Sequence, residues 1–186
     1  KGYNAVKAVV ENMPNVFVFD TSFHQTMPAH AYMYAVPYHY YEEMNIRRWG
    51  AHGTSHRFVT NRVCQLLGVK PEEQKIITCH IGNGASVSAV DHGKCIDTSM
   101  GLTPLEGLMM GTRTGDIDAS VVLAIMKKEG KTPDEMQDLL NKKSGLLGIS
   151  GLGSDMRDVE NGVKEGNERA KLALDMYNYR IKKYIG

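Results

Sequence analysis

The sequence predicts a mixed domain of the α/β or α+β class, and three observations lead to that prediction. Segments with strand patterns, "KIITCHIG", "ASVSAVDHG" and "KCIDTSM", follow one another between residues 75 and 100. Helical spacing of apolar residues returns after residue 119 and continues almost to the last residue. The sequence shows neither an internal repeat nor a low-complexity tract. A group of strands followed by helices is typical of a packed domain with both elements.

The first part of the chain predicts a helix, a strand and an irregular segment. A helical pattern begins directly at Lys1, as expected for a piece of a longer protein. The apolar run Val16–Phe19 predicts a short buried strand, with Asp20 at its carboxyl end, where open α/β sheets place ligand-facing residues. Pro28 and Pro37 exclude one long helix from the aromatic-rich stretch that follows, so we expect an irregular segment against the core.

The next predicted element is a helix that ends before Gly68. Thr54 or Ser55 is expected to cap its first turn, and Gly68 supplies the left-handed residue that commonly ends a helix. Apolar residues recur at spacings of three and four, which predicts a face packed on the core: Phe58, Val59, Val63, Leu66 and Leu67.

The strand region predicts a half-buried meander whose first turn is unusually rich in glycine. Gly82 and Gly84 flank Asn83 between the first two strands, and an Asp-His-Gly sequence at 91–93 joins the second strand to the third. Alternation of Val87 and Ala89 with serines predicts one buried and one exposed face. The glycines at the first turn have two interpretations: a tight turn, or a place where another group approaches the backbone closely.

Helix signals dominate the remaining sequence. Gly130 follows a helical pattern that ends in two lysines, and Thr132 opens a new helix with Glu135 at the capping-box position. The "GKT" at 130–132 is therefore interpreted as the end of one helix and the start of the next, not as a phosphate-binding Walker motif, whose first glycine is replaced by Ile125. The final segment, from residue 167, is amphipathic.

Composition narrows the classes of function. The chain has 186 residues, 42% hydrophobic, with 22 basic and 21 acidic residues. This near balance, without a basic block, argues against nucleic-acid binding, and no apolar run approaches the roughly 20 residues of a membrane span. Cys64, Cys79 and Cys95 are interpreted as buried free thiols, which are typical of a reducing cytoplasm. The first residues also lack an export signal, so a cytoplasmic location is expected.

Two histidines, His52 and His56, lie four residues apart in "HGTSH". This spacing can place two imidazoles on one metal ion, but Gly53 stands where a zinc-hydrolase helix carries its glutamate. Three interpretations stay open from the residues alone: a metal site, a capping or hydrogen-bonded pair, and a histidine that binds an anion.

Several residues together predict a site for phosphoryl transfer. Glycines 82 and 84 leave room for backbone amides to approach phosphate oxygens. Arg113 lies in the glycine-flanked loop "GTRTGD", where a guanidinium can meet an anion, although an ion pair with Asp116 or Asp118 is an alternative. With His52 and Asp20, these residues provide the donors and the charge that a phosphoryl-transfer site needs.

Four blocks of the sequence resemble the acetate kinase family, part of the superfamily of acetate and sugar kinases, heat-shock ATPases and actin: "FVFDTSFHQTMP", "RRWGAHGTSH", "CHIGNGASVSAVDHGKCIDTSMGLTPLEGLMMGTRTGD" and "SGLLGISGLGSDMRD". The resemblance implies a ribonuclease-H-like (actin-like ATPase) fold. Residues 1–22 would end an N-terminal acyl-binding domain, and 23–186 would form part of the C-terminal nucleotide-binding domain. It also implies a homodimer that uses Mg²⁺ and ATP to convert acetate reversibly to acetyl phosphate and ADP.

The resemblance also assigns residues to roles. Asp20 matches the catalytic aspartate of the family, and His52 and Arg113 match the pair that stabilises the transition state. No protein residue is assigned as a metal ligand. The resemblance assigns ATP binding to two stretches: His80, Ile81, Gly82, Asn83 and Gly84, then Asp155, Met156 and Arg157.

Several family residues have no counterpart in this sequence, among them the N-terminal Asn and Lys, the acetate-binding Arg and the C-terminal Glu near the metal. We therefore expect the 186-residue chain by itself to be inactive. Ala51 stands where several relatives carry a bulky aromatic residue beside the acyl methyl group. The length of the acyl group that the enzyme prefers is therefore left open. Propionate or butyrate kinase, and a nucleotide-binding module without catalysis, remain the alternatives.

Overall fold

The computed structural model describes residues 1–10 and 12–186. Three antiparallel strands form a sheet in the order β1-β2-β3. In its register Thr78 of the first strand faces Ser88 of the second, and a bulge between Ala89 and Val90 shifts the pairing with the third. The predicted strands are confirmed with these bounds: β1 Lys75–Ile81, β2 Ala85–Asp91 and β3 Lys94–Thr98.

The central strand β2 is buried on both faces, so the half-buried prediction was wrong for this strand, whereas β1 and β3 keep exposed residues. Its small apolar residues Ala85 and Val87 lie in one core cluster, together with Met100, Leu108 and Met110. Ser86 and Ser88, on the opposite face, are only 0% and 1% exposed. Hydroxyl groups tolerate burial when they are hydrogen-bonded, and both serines have side-chain partners.

The two turns of the meander use their glycines differently. In the turn between β2 and β3, His92 and Gly93 both have positive φ, 50° and 78°, as in a type I′ hairpin. Neither Gly82 nor Gly84 in the first turn has a positive φ. Backbone conformation therefore does not explain why glycine occupies positions 82 and 84.

Helix α4 spans Gly53–Leu67, but its N-cap and its buried face differ from the prediction. His52, with φ 59°, is the N-cap in place of Thr54 or Ser55, while Gly68 ends the helix as predicted. The expected apolar face is exposed, with Phe58 at 66% and Leu67 at 70%. The buried residues of the helix are instead Gly53, His56, Thr60 and Cys64. This face packs on β1, where polar side chains provide hydrogen-bond partners.

The segment before α4 is helical at its start and irregular afterwards, as predicted. Short helices alternate with bends, and an isolated bridge joins Met33 to Arg47. The helical elements are α1 Gly2–Val9, a 3₁₀ turn Ser22–Thr26, α2 Ala29–Tyr32 and α3 His39–Met44.

Val16–Phe19 does not form the predicted buried strand. Its side chains are between 60% and 86% exposed, and the segment has no regular structure. A strand needs a neighbour for its backbone hydrogen bonds, and none of the described segments pairs with this one. Asp20 therefore follows an extended, exposed stretch.

The C-terminal half is helical and forms a second core cluster. Gly130 ends one helix with φ 65°, and Thr132 with Glu135 forms the predicted capping box of the next. The final amphipathic helix, through Ala170, Ala173 and Tyr177, packs against the two helices before it. These helices are α5 Ala119–Glu129, α6 Pro133–Lys142, α7 Gly145–Ser150, α8 Met156–Lys164 and α9 Glu168–Ile185.

All three cysteines are free, but only Cys64 and Cys95 are buried. Cys79 is exposed, because its side chain lies on the outer face of the edge strand β1. Among the described residues, no helix combines the length and the apolar character that crossing a membrane requires. The domain boundary between residues 22 and 23 stays a prediction.

Candidate active site

Gly84 lies where two polar side chains converge. A Cβ atom at this position would be 3.3 Å from His52 Nε2 and 3.6 Å from Arg113 Nη1. Within the turn, the Gly82 amide donates to the Gly84 carbonyl at 3.0 Å. The close approach of side chains, and not a positive φ, is therefore what glycine accommodates at position 84.

His52 is held in place by the segment around Asp20. The His52 amide donates to Asp20 Oδ2 at 2.5 Å, and the Gly53 amide donates to the Asp20 carbonyl at 2.8 Å. A Cβ at Gly53 would collide with that carbonyl. Glycine at 53 therefore lets the first turn of α4 rest directly on Asp20, although Asp20 does not end a strand.

Two imidazoles are stacked beside the glycine turn. The rings of His52 and His80 lie 4.0 Å apart between centroids, with their planes inclined by 23°. Each Nδ1 is hydrogen-bonded to a serine: His52 to Ser86 at 2.9 Å and His80 to Ser55 at 2.8 Å. Burial, then the neighbouring His80 and Arg113, lower the pKa of His52. At neutral pH His52 is therefore a neutral hydrogen-bonding group.

His56 is hydrogen-bonded inside the domain and is not available to a metal ion. The residue is 1% exposed, and both ring nitrogens are hydrogen-bonded, Nδ1 with Thr78 at 2.8 Å and Nε2 with Ser86 at 2.7 Å. Burial, followed by the neighbouring histidines, lowers the pKa of His56 to about 3. The structure therefore shows a hydrogen-bonded pair linked through Ser86 and no metal pair in "HGTSH", while anion binding by His52 stays a prediction.

Arg113 is directed at the glycine turn and does not pair with either nearby aspartate. Its Nη1 donates to the Pro104 carbonyl at 3.1 Å. Asp116 accepts from the Gly107 amide and the Tyr184 hydroxyl, and Asp118 caps α5 through the Ser120 amide. Arg113 therefore keeps its charge available beside His52.

A cleft of about 690 Å³ adjoins the turn between β1 and β2. Five residues with a predicted ATP-binding role line it: Ile81, Gly82, Asn83, Asp155 and Met156. The sequence interpretation assigned no role to its other lining residues. Some lie in the blocks "GTRTGD" and "SGLLGISGLGSDMRD" but away from the positions that were given a role, and the others lie in α8 and α9, which have ordinary amphipathic patterns. These other lining residues are Gly111, Leu146, Ser154, Glu160, Leu174, Tyr177 and Asn178.

Asp155 and Arg157 form an ion pair at the start of α8. Asp155 is the N-cap and accepts from the Arg157 amide at 2.9 Å, while Arg157 Nη2 donates to Asp155 Oδ2 at 2.5 Å. This guanidinium lowers the pKa of Asp155 to about 2. Because the Arg157 side chain is 84% exposed and folds back on Asp155, it lies outside the cleft lining.

The predicted site residues thus fall into two groups. Asp20, His52, His80, Gly84 and Arg113 surround the glycine turn. Asp155 and Met156 line the cleft together with Asn83 of that turn. Asn83 Oδ1 would be 3.1 Å from a Cβ atom at Gly111.

Ala51 immediately precedes this constellation and is half-buried. Its carbonyl accepts a hydrogen bond from His24 Nε2 at 2.9 Å, so the backbone at 51 is anchored. The nearby Trp49 stacks on the Arg47 guanidinium, whose Cζ lies 4.6 Å from the centroid of the Trp49 ring. Trp49 therefore has a packing role of its own next to the position expected to limit acyl size.

Comparison with known proteins gives consistent matches over the whole chain. The model of the Acetokinase family matches residues 1–186. An acetate kinase of Bacteroides thetaiotaomicron is 66% identical over 186 residues, which is all of this chain and 47% of that protein. The chain therefore spans about half the length of the curated relatives that it matches.

Solved structures agree with these matches. The crystal structure of Porphyromonas gingivalis acetate kinase superposes with a TM-score of 0.96 at 52% identity, over 100% of this chain and 46% of that one. A propionate kinase from Francisella tularensis gives 0.94 at 45% identity, over 99% and 47%. These similarities confirm the predicted fold class. The chain belongs to the acetokinase family.

Proposed function

We propose that the full-length protein containing this chain is an acetate kinase. It would transfer the γ-phosphoryl group of ATP to acetate, reversibly, giving acetyl phosphate and ADP. The observation that carries the proposal is the convergence of His52 Nε2 and Arg113 Nη1 at Gly84, beside a cleft of about 690 Å³. A neutral donor and a cation at one point suit the charge that develops on a transferred phosphoryl group.

The chemistry needs little from the protein beyond binding and orientation. Acetate is ionised at pH 7, so its oxygen attacks the γ-phosphorus without a general base. The new bond joins that oxygen to phosphorus, while the bond to the bridging oxygen breaks and ADP leaves with the electron pair. His52 and Arg113 would bind the equatorial oxygens during this in-line transfer, and the glycine turn would hold the neighbouring phosphates.

Mg²⁺ would enter with ATP and belong to the substrate. Mg²⁺ prefers oxygen ligands, keeps several waters and is commonly held by substrate phosphates with one or two carboxylates. The residues present fit this arrangement, since Asp20 places an exposed carboxylate beside His52. Among the described residues no group of three His, Cys, Asp or Glu side chains could hold a metal without help. Asp20 would orient the ion or one of its waters.

Acyl preference is the first alternative that experiment must address. The likeness to a propionate kinase and the small Ala51 side chain both favour testing longer acids. Formation of acyl phosphate by the full-length protein, trapped as the hydroxamate, would be measured with acetate, propionate and butyrate. We expect acetate to give the highest kcat/KM, whereas a higher value for propionate or butyrate would reassign the substrate.

A nucleotide-binding module without catalysis is the second alternative. Calorimetric titration with ATP combined with the hydroxamate assay separates it from an enzyme. ATP binding without acyl phosphate formation would contradict the proposed activity, and absence of both would also contradict the nucleotide site.

We also propose that the full-length protein is a homodimer and is cytoplasmic, because it belongs to this family. Sedimentation equilibrium of the full-length protein tests the first, and cell fractionation tests the second. A monomer, or recovery in the membrane or exported fraction, would contradict them. Inactivity of residues 1–186 alone also stays a prediction.

A further inference from the structure

Ser86 connects two histidines that otherwise have different surroundings. Its hydroxyl lies 2.9 Å from His52 Nδ1 and 2.7 Å from His56 Nε2, and the residue is fully buried at 0% exposure. His56 continues the chain to the Thr78 hydroxyl at 2.8 Å. Four side chains from α4, its N-cap, β1 and β2 therefore form one unbroken series of short hydrogen bonds: Thr78, His56, Ser86 and His52.

The hydrogen bonds in this series can all be donated in only one of two directions, toward His52 or away from it. Ser86 has one hydroxyl proton and touches two ring nitrogens, so it donates to one and accepts from the other. If Ser86 donates to His56, His52 must carry its proton on Nδ1, and Nε2 of a neutral ring is bare. If Ser86 donates to His52 Nδ1, the proton of a neutral His52 is on Nε2.

The nitrogen at stake is the one that faces the reaction site. His52 Nε2 lies toward Gly84 and Arg113, and a bare nitrogen there would repel a phosphoryl oxygen. We propose that Ser86 is a positioning residue that donates to His52 Nδ1 and so keeps the proton on Nε2, with His56 and Thr78 fixing the direction of the series. Only the effect on catalysis rests on the proposed function, since the position of the proton on His52 can be measured without substrate.

The surroundings of His56 support that direction. The lowered pKa of His56, about 3, leaves it neutral with one proton. Thr78 can donate to His56 Nδ1 at 2.8 Å, whereas its other acceptor, the Ser88 carbonyl, is at 3.4 Å, near the limit of a hydrogen bond. With Nδ1 accepting, the His56 proton is on Nε2 and is donated to Ser86, whose own proton then goes to His52.

Ser88 provides a matched control in the same strand. It is 1% exposed, lies two residues from Ser86, and its hydroxyl bonds to Thr98 at 2.8 Å, with no hydrogen bond to a histidine among the described residues. Replacement of either serine by alanine removes one buried hydroxyl. Loss of stability should therefore be similar, while only Ser86→Ala should affect His52.

The kinetic test compares single variants of the full-length protein. We expect Ser86→Ala to lower kcat about tenfold with KM for ATP within about twofold, because the wrong ring proton costs transition-state stabilisation. Ser88→Ala should keep kcat within about twofold. His56→Gln, whose amide can still donate to Ser86, should keep more activity than His56→Met. Equal kcat values for Ser86→Ala and Ser88→Ala, or for the two His56 variants, would overturn the inference.

Direct observation of the tautomers decides the question even if a variant fails to fold. Side-chain ¹⁵N NMR of the [¹⁵N]histidine-labelled full-length protein, with His52→Gln to assign the signals, reports which nitrogen carries the proton. We expect protonated Nε2 and bare Nδ1 in wild-type His52, and a tautomer mixture in Ser86→Ala. His52 protonated at Nδ1 in the wild type would overturn the inference, whereas a wild-type protein with the expected tautomer but no acyl phosphate formation would overturn only the proposed function.

Discussion

The imidazole ring of His80 lies flat against that of His52, with 4.0 Å between their centroids. Burial and, after it, this neighbouring ring lower the pKa of His52. Positive charge at the glycine turn therefore comes from Arg113, while His52 contributes a directed hydrogen bond. This division of roles leads to the first predictions.

Replacement of His80 by Gln should raise the pKa of His52, because the neighbouring imidazole no longer opposes its protonation. The pKa would be read from the pH dependence of the His52 NMR signal in the full-length protein. His30→Gln, in the exposed part of α2, is the control and should leave that titration unchanged. A His52 midpoint that stays constant or moves to lower pH in His80→Gln would contradict the proposed coupling.

Arg113→Ala should lower kcat by about 10²–10³-fold with KM for ATP nearly unchanged, because in the proposed mechanism it removes a donor to the transition state. Arg62→Ala removes an exposed guanidinium that is bonded to Gln65 in the same helix, and should have little effect. Steady-state kinetics of acetyl phosphate formation measures both. A kcat within twofold of wild type, with a raised KM, would assign Arg113 to ground-state binding instead.

Gly84→Val should weaken ATP binding. The structure gives the physical reason: even one Cβ atom would be 3.3 Å from His52 Nε2, and a branched side chain would fill the space assigned to phosphate. Because Gly84 does not have a positive φ, backbone strain does not confuse the result. Calorimetric titration with ATP should show a higher Kd, and an unchanged Kd would place the phosphates elsewhere.

His56 should make the protein less stable in acid. An unfolded chain protonates this ring near pH 6.5, whereas the folded state does so only near pH 3. Between these values the unfolded state binds more protons, so the stabilisation is complete above pH 6.5 and is lost as the pH falls, by up to about 1.4 kcal/mol per pH unit. Urea unfolding of the full-length protein from pH 7 to 5 should show a shallower slope for His56→Gln than for wild type or His30→Gln. Identical slopes would refute the assignment.

Ala51→Phe should increase the preference for acetate over propionate. A smaller side chain beside the acyl group leaves room for one methylene, whose burial contributes roughly 0.8 kcal/mol, and discrimination of this kind spans about 10–200-fold. The competing possibility, that Trp49 fills the space, is weakened because its ring stacks on Arg47. The ratio of kcat/KM for the two acids measures the effect, and an unchanged ratio would show that position 51 does not limit acyl size.

Features encoded within a few residues were predicted correctly. The capping box of Thr132 and Glu135, the C-caps at Gly68 and Gly130, and the turn after Asp91 all depend on hydrogen bonds and φ values of adjacent residues. The motifs around the glycine turn also led to the prediction of an anion site, because the residue types themselves carry the chemistry, and that site stays a prediction.

Predictions that depended on neighbours distant in sequence failed more often. Val16–Phe19 has the composition of a strand but no pairing partner among the described residues. Cys79 lies in an apolar sequence segment, but its side chain is exposed on the edge strand. In α4, periodicity identified the apolar side, whereas the helix buries His56 and its polar neighbours. A strand pairs, and a helix face is buried, only where another part of the chain provides the surface.

The sequence by itself therefore determined the three strands of the sheet, the C-caps at Gly68 and Gly130, the capping box at Thr132, the family and the residue types of the candidate site. Only the tertiary structure decided that Arg113 avoids the nearby aspartates, that His52 and His80 stack, and that Ser86 links His52 to His56. The physical reason is distance along the chain: His52 and Ser86 are 34 residues apart. Local signals carry no information about which hydroxyl will meet which ring nitrogen, since that contact forms only when α4 packs on the sheet.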